Sequence, residues 1–312
     1  MGAAYNRGGA RNYLIEVDFI WHGAGQGAGP WVGLMPQSDG AALVVAYGHK
    51  AVLKHGRRTM DLGLKGLRAV VSGGTKGIGL AVAELLADEG ADVAICARDG
   101  ASVDRTTAEL RSRGVTAFGQ ALDVADGAGL KSWIDGAAGA MGGIDIVVAN
   151  VSALAIDNNE DSWHQGFEVD LMHSVRMVDA AMPWLEKSTA GAIVTVSSVS
   201  GREIDFAAGP YGTFKAALLH YTQGLANQLA GNGIRANSVS PGNTYFDGGV
   251  WQQIEQNNPE FYVQALSLNP TGRMAKPEEI ARAVVFLASP AASFIMGTNL
   301  VVDGALTKGV QL

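Results

Sequence analysis

Ser72-Gly73-Gly74-Thr75-Lys76-Gly77-Ile78-Gly79 stands between a short apolar run, Leu67 to Val71, and a helical pattern, Ile78 to Glu89. A strand, a glycine turn and a helix in this order form the setting of a dinucleotide site. Glycines permit a tight turn and let the backbone come close to a pyrophosphate. That anion then rests on the helix N-terminus, where free N–H groups and the helix dipole favour negative charge. The spacing is Gly-x-x-x-Gly-x-Gly, not Gly-x-Gly-x-x-Gly. Because the chain carries 42 Gly, a glycine-rich turn with no ligand is the competing reading of this loop taken alone.

Working outward from the loop, strand and helix patterns alternate. Strands are expected near 68–72, 91–97, 115–120, 144–149, 192–197, 234–240 and 299–302. Helices are expected over 78–89, 99–113, 126–140, 161–187, 209–231 and 277–288. Such alternation predicts an α/β fold, a Rossmann-type doubly wound parallel sheet of about seven strands with helices on both faces and right-handed crossovers. Residues 243–271 read as the one long irregular stretch within this domain, and loops of that length are usually functional. Tyr245, Phe246, Trp251, Phe261 and Tyr262 suit a mobile lid over a largely apolar substrate, or else they pack the loop onto the domain.

A second motif lies downstream. Tyr211 and Lys215 stand four residues apart, a spacing that puts both on one helix face. Ser198 follows the apolar run Ile193 to Val196, at a strand's carboxyl end. A free tyrosine has a pKa near 10 and is a poor base at neutral pH. A neighbouring ammonium favours its phenolate, and a serine hydroxyl at a strand end can hydrogen-bond a substrate oxygen. An exposed Tyr and Lys on an amphipathic helix would show the same spacing.

The two motifs together resemble the short-chain dehydrogenase/reductase family, and in particular 3-oxoacyl-carrier-protein reductase-like members. The resemblance runs from about Leu62 to Ala305. It includes Leu122-Asp123-Val124 after the third strand, Val148-Ala149-Asn150 after the fourth, Pro241-Gly242 after the sixth, and Val302-Asp303-Gly304 near the end. It implies a sheet order of 3-2-1-4-5-6-7 with the cofactor across the switch point. It also implies an NAD(P)-dependent enzyme that interconverts a ketone and a secondary alcohol by hydride transfer. Ser198, Tyr211 and Lys215 would be catalytic, with Tyr211 and Lys215 also meeting the cofactor. Gly73, Thr75, Lys76, Gly77, Ile78 and Gly79 would cradle the cofactor. Asp123, with the Val124 backbone, would meet the adenine edge, Asn150 the ribose, and Gly242 and Thr244 the nicotinamide amide. Two departures stand out. The family's Asn-Asn-Ala-Gly is Ala149-Asn150-Val151-Ser152 here, and the fourth catalytic position, an asparagine in the family, is Asp170. An ionised aspartate accepts a hydrogen bond from a water but cannot donate one.

Charge bears on the choice of cofactor. After the second strand the chain reads Cys96-Ala97-Arg98. No carboxylate stands at Ala97 to repel a 2′-phosphate, and Arg98 can grip one bidentately, with Lys76 as a second cation. This favours NADP(H) over NAD(H). Asp99 tempers the reading, since it either pairs with Arg98 or itself faces the ribose. The alternatives are an NAD-dependent alcohol or polyol dehydrogenase and a non-catalytic NADP-binding sensor.

The 312 residues, 47% hydrophobic and 17% charged, suffice for one sizeable α/β core. A net charge of −7 with no basic stripe argues against a nucleic-acid partner. No apolar stretch approaches a membrane span, and a cytoplasmic enzyme is expected. Cys96, the single cysteine, has no partner for an internal disulfide. His22, His49, His55, His164, His173 and His220 show no metal-ligand spacing and read as surface or satisfied core residues, so no metal is expected. The resemblance implies a homotetramer or homodimer built on long helices. The stripe Trp163, Phe167, Leu171 and Val175 provides a suitable face, or belongs to the domain's own core. Residues 1–59 hold 11 of the glycines and carry six Lys/Arg against three Asp/Glu. Apart from a brief alternation, Tyr13 to Ile20, they show no regular pattern and lack the apolar core of a signal peptide. They are expected to be an irregular, non-catalytic extension, a regulatory or targeting arm being the alternative, with the catalytic domain spanning 60–312.

Overall fold

The computed structural model describes the backbone of residues 31–35, 42–47 and 50–54, together with residues 60–310. It divides into two units, Met1–Asp61 and Leu62–Leu312. The first holds an antiparallel sheet of β1 (Trp31–Met35), β2 (Ala42–Tyr47) and β3 (Lys50–Lys54) in that order, with Trp31 opposite Ala46 and Ala46 opposite Ala51. An irregular extension was the expectation, and these strands correct it. Val32, Val44, Val45 and Val52 are residue types that suit a pleated surface, and β2 and β3 are separated by only two residues, the span of a tight hairpin. The Tyr13 to Ile20 alternation lies outside the described residues.

The second unit is built on a seven-stranded parallel sheet. Its strands are β4 (Arg68–Ser72), β5 (Asp92–Ala97), β6 (Ala117–Ala121), β7 (Ile146–Ala149), β8 (Ala192–Val196), β9 (Arg235–Pro241) and β10 (Asn299–Val302). The order β10-β9-β8-β7-β4-β5-β6 is 3-2-1-4-5-6-7 when the unit's own strands are counted. Both faces are covered, so the central strands β4, β5, β7 and β8 are largely apolar runs whose alternate residues enter different cores, while β9 is buried with Arg235, Asn237, Ser238 and Ser240 in it. Ala69, Val71, Val93, Ile95, Ile146, Val148 and Val194 pack on the side of α1 (Gly77–Asp88) and α9 (Pro277–Ala288). Val70, Ala94, Val147 and Ile193 face α3 (Gly127–Met141), α5 (His173–Leu185) and α6 (Pro210–Leu229). Burying each Val or Ile contributes about 1.5–3 kcal/mol. Between β5 and β6 runs α2 (Gly100–Ser112). Arg235 at the start of β9 is buried. Its guanidinium donates to the carbonyls of Leu287, Ala288, Ser289 and Ala292, satisfying the end of α9 where backbone acceptors have no helical partner.

Two segments differ from expectation. The helix expected over 161–187 is broken into α4 (Glu160–Gly166), a π-helical turn at Phe167–Met172, and α5. The expected irregular lid carries two helices, α7 (Val250–Asn257) and α8 (Pro259–Ser267). Asn258 caps α8 by accepting the Phe261 N–H at 3.2 Å, and Pro259 occupies its first turn, where a missing N–H costs nothing. Among the described residues, no helix is long and apolar enough to cross a membrane.

Candidate active site

The carboxyl ends of β4, β7, β8 and β9 converge at the point where strand order reverses, the position at which such sheets bind ligands. At the end of β4 the chain turns through Gly73 (φ +68°) and enters α1 through Gly77 (φ +54°), conformations that favour glycine. Gly73 and Gly74 donate their N–H groups to the Cys96 carbonyl at 2.8 and 3.3 Å. A Cβ on Gly79 would stand 2.2 Å from the Gly73 carbonyl oxygen, so the turn and the helix touch backbone to backbone. Lys76 occupies the N-cap and provides no side-chain cap, which leaves the first N–H groups of α1 available to an anion. Thr75 and Ile78 are half-buried in the same turn, and Lys76 is exposed. This uncapped glycine turn has the backbone donors that a dinucleotide's pyrophosphate requires.

Asn150, expected at a ribose, holds the loop. Its backbone N–H donates to Ser72 Oγ at 2.9 Å and its Nδ2 to the Ser72 carbonyl at 3.1 Å. It therefore braces the glycine turn. Asp99 accepts the Ser102 N–H at 3.0 Å as the N-cap of α2 and does not pair with Arg98. The exposed Arg98 makes no ion pair or side-chain hydrogen bond among the described residues. Asp123 is exposed after β6, with Oδ1 accepting the Ala125 N–H at 3.0 Å, and Val124 is buried beside it. Gly242 follows β9 and packs on Asp303, where a Cβ would meet Asp303 Cα at 2.8 Å. Thr244 is buried and donates its hydroxyl to the Gly242 carbonyl at 3.0 Å.

Ser198, Tyr211, Lys215 and Asp170 come together. Ser198 follows β8, accepts the Ser200 N–H at 3.2 Å and lies near enough to the Tyr211 phenol to act on its ionisation. Lys215, one turn further along α6, has its Nζ 5.7 Å from the centre of the Tyr211 ring. That ammonium donates to the Val196 carbonyl at 3.1 Å and pairs with Asp170 Oδ1 at 3.2 Å, both side chains being out of water. Asp170 Oδ2 accepts the Ala153 N–H at 3.2 Å. Burial raises the Tyr211 pKa, the neighbouring Ser198 hydroxyl opposes the rise, and the charges of Asp170 and Asp205 add to it.

His173, read from the sequence as an ordinary histidine, is a fully buried link between elements. Its Nδ1–H donates to the Val169 carbonyl at 2.8 Å, and its Nε2 accepts from Ser72 Oγ at 2.9 Å. Burial lowers its pKa to about 4, so it stays neutral at physiological pH. It ties α5 to the same Ser72 hydroxyl that Asn150 holds. The one sequence signal was its place three residues after Asp170, on a shared helical face.

The family described as enoyl-(acyl carrier protein) reductase matches residues 73–307. Isoepoxydon dehydrogenase of Penicillium expansum is 38% identical over 259 residues, which cover 81% of this chain and 99% of that protein. Among solved structures, the L-sorbose reductase of Gluconobacter frateurii, complexed with NADPH and L-sorbose, superposes with a TM-score of 0.74 at 29% identity, covering 80% of this chain and 100% of that one. An NADPH-bound short-chain oxidoreductase of Pseudomonas aeruginosa, described as containing an atypical catalytic centre, gives 0.71 at 29% identity, covering 78% and 98%. Sheet order, glycine turn and these likenesses agree: the chain belongs to the short-chain dehydrogenase/reductase family of NAD(P)-dependent oxidoreductases.

Proposed function

We propose that this protein is an NADP(H)-dependent reductase that interconverts a small ketone and its secondary alcohol at Ser198, Tyr211 and Lys215. The observation that carries the reading is the meeting of these three side chains at the carboxyl ends of the strands that also present the glycine turn. A bound nicotinamide supplies the hydride in reduction and takes it in oxidation. Tyr211 gives its phenolic proton to the carbonyl oxygen, and Ser198 holds that oxygen by a hydrogen bond. Lys215 places a positive charge under the phenol ring, which favours the phenolate left behind. Asp170 acts through Lys215, holding the ammonium in place. The NADP(H) preference is supported by the uncommitted Arg98, by the absence of a carboxylate at Ala97, and by Asp99 being occupied as a helix cap. The chain's relatives are named for isoepoxydon and L-sorbose, and a compact carbonyl compound is the substrate class we assign.

Replacing Tyr211 with Phe tests the reading. Turnover should fall at least 10²-fold, the lower end for a placed proton donor, while NADPH affinity stays nearly constant. A Phe variant that keeps more than about a tenth of the activity would reject the acid/base role.

A further inference from the structure

One side chain from the lid reaches the glycine turn. Phe246 is half-buried, and its ring lies against Gly77. A Cβ placed on Gly77 would meet Phe246 Cζ at 2.6 Å, Cε2 at 2.8 Å and Cε1 at 2.9 Å. Gly77 is the first residue of α1, beside the uncapped N–H groups on which a pyrophosphate would rest. A phenyl ring offers those donors no acceptor lone pair and no charge. It occupies their approach without satisfying them.

We infer that Phe246 is a latch: its ring and a dinucleotide's pyrophosphate compete for the surface of Gly77, so nucleotide binding must lift the ring and the lid attached to it. The inference rests on the reading of the glycine turn as a dinucleotide cradle, and adds to it a control on access.

The ring sits on a braced turn. On one side, the Tyr245 N–H donates to the Ala275 carbonyl and the Ala275 N–H to the Asn243 carbonyl, both at 2.9 Å. On the other, the Phe246 carbonyl accepts the Gly249 N–H at 3.0 Å. Gln252 then clasps the turn, accepting the Gly248 N–H at 2.7 Å and donating to Asp247 Oδ1 at 3.0 Å. Tyr245 also donates its hydroxyl to Glu255 at 2.5 Å. Displacing Phe246 therefore shifts α7. The buried Trp251 of α7 stacks on Phe261 of α8 (centroids 6.1 Å apart, planes at 24°) and meets Phe206 edge-on at 5.8 Å. Phe206 belongs to the segment joining Ser198 to Tyr211. A ring lifted at Gly77 is thus connected, contact by contact, to the chain beside the proposed substrate groups. Lids of this kind complete a site on binding, and here the trigger is a single aromatic side chain.

The test is stopped-flow binding of NADPH, followed by nucleotide fluorescence, in the parent, Phe246→Ala and Phe246→Leu. The association rate constant should rise roughly ten-fold in the Ala variant, the change expected when about 1.4 kcal/mol of contact no longer has to be broken, and by less in the Leu variant. Adenosine 2′-monophosphate, which has no 5′-phosphate to set against Gly77, should bind all three proteins alike and so also reports that the variants are folded. If the Ala variant loses that binding, the Leu variant alone carries the comparison. Unchanged association rates in folded variants would overturn the latch, as would unchanged association with faster dissociation, which would make the ring a clamp on bound nucleotide. A parent that binds neither NADPH nor NADH would overturn the cradle reading and the latch with it.

Discussion

Asp170 and Lys215 meet with both side chains buried, and this pair is where the chain departs from the asparagine implied by its resemblance. Removing one partner of a buried ion pair typically costs about 3–5 kcal/mol. Asparagine keeps an oxygen toward the ammonium, so Asp170→Asn should destabilise by less than that. The larger effect should be on pH dependence. The Asp170 charge disfavours the Tyr211 phenolate, and pairing also draws on the Lys215 charge that favours it. Removing the carboxylate acts in the same direction through both. Oxidation, which needs the phenolate, should show an apparent pKa lower by about one unit in the Asn variant, while reduction, which starts from the neutral phenol, should change less. Superimposable pH–rate profiles for oxidation would show that Asp170 has no hold on the phenol. Arg98 makes a separate prediction. If its guanidinium reads a 2′-phosphate, Arg98→Ala should weaken NADPH far more than NADH, lowering the preference by about ten-fold or more. Equal losses in parallel titrations would remove Arg98 from cofactor choice. The spacing of Ser198, Tyr211 and Lys215 was legible because strand end and helix face follow from local pattern. Asn150, His173 and Phe246 were not. Their roles depend on Ser72, 78 and 101 residues away from the first two, and on Gly77, and no local periodicity encodes such meetings.

At the scale of elements, legibility followed burial. The central strands β4, β5, β7 and β8 were readable because each is enclosed on both faces and so reads as a largely apolar run. Helices α1, α3 and α9 were readable from their apolar stripes. The short helices of the lid were not, since α7 and α8 span eight and nine residues, about two turns each, too few for a stripe to repeat. The signal that was there, Asn258-Pro259 as cap and first turn, is a helix start and carries no period. The π-helical turn at Phe167–Met172 escaped for a different reason. It keeps the chain helical and alters only which face each residue presents, and π turns are frequent at functional sites. Asp170, inside that turn, reaches Lys215 across it. The strands β1, β2 and β3 were missed because glycine-rich sequence around them masked three short β-prone runs.

At the scale of the whole molecule, the clustering of the chain into Met1–Asp61 and Leu62–Leu312 places every proposed site residue in the second unit. A chain beginning at Met60 should therefore fold, turn over substrate like the full-length protein and assemble to the same number of copies. Trp163 and Phe167, 37% and 40% exposed, pack on Phe214 of α6, and we propose that their outer faces meet a second copy. Light scattering and steady-state kinetics on the two chains side by side give the check. Aggregation, lost turnover or a changed assembly in the shorter chain would assign a structural duty to the leading segment.

The carbonyl that receives Gly73 and Gly74 belongs to Cys96, the only thiol in the protein. Its sulfur is fully buried, and burial raises its pKa to about 12, so thiol reagents find neither access nor thiolate. Only an opening of β5 beneath the glycine turn exposes it. The rate at which Cys96 is alkylated is therefore an intrinsic clock for local unfolding of the cradle floor. A nucleotide that fastens the cradle should slow that clock, giving an account of occupancy in mixtures where turnover cannot be followed.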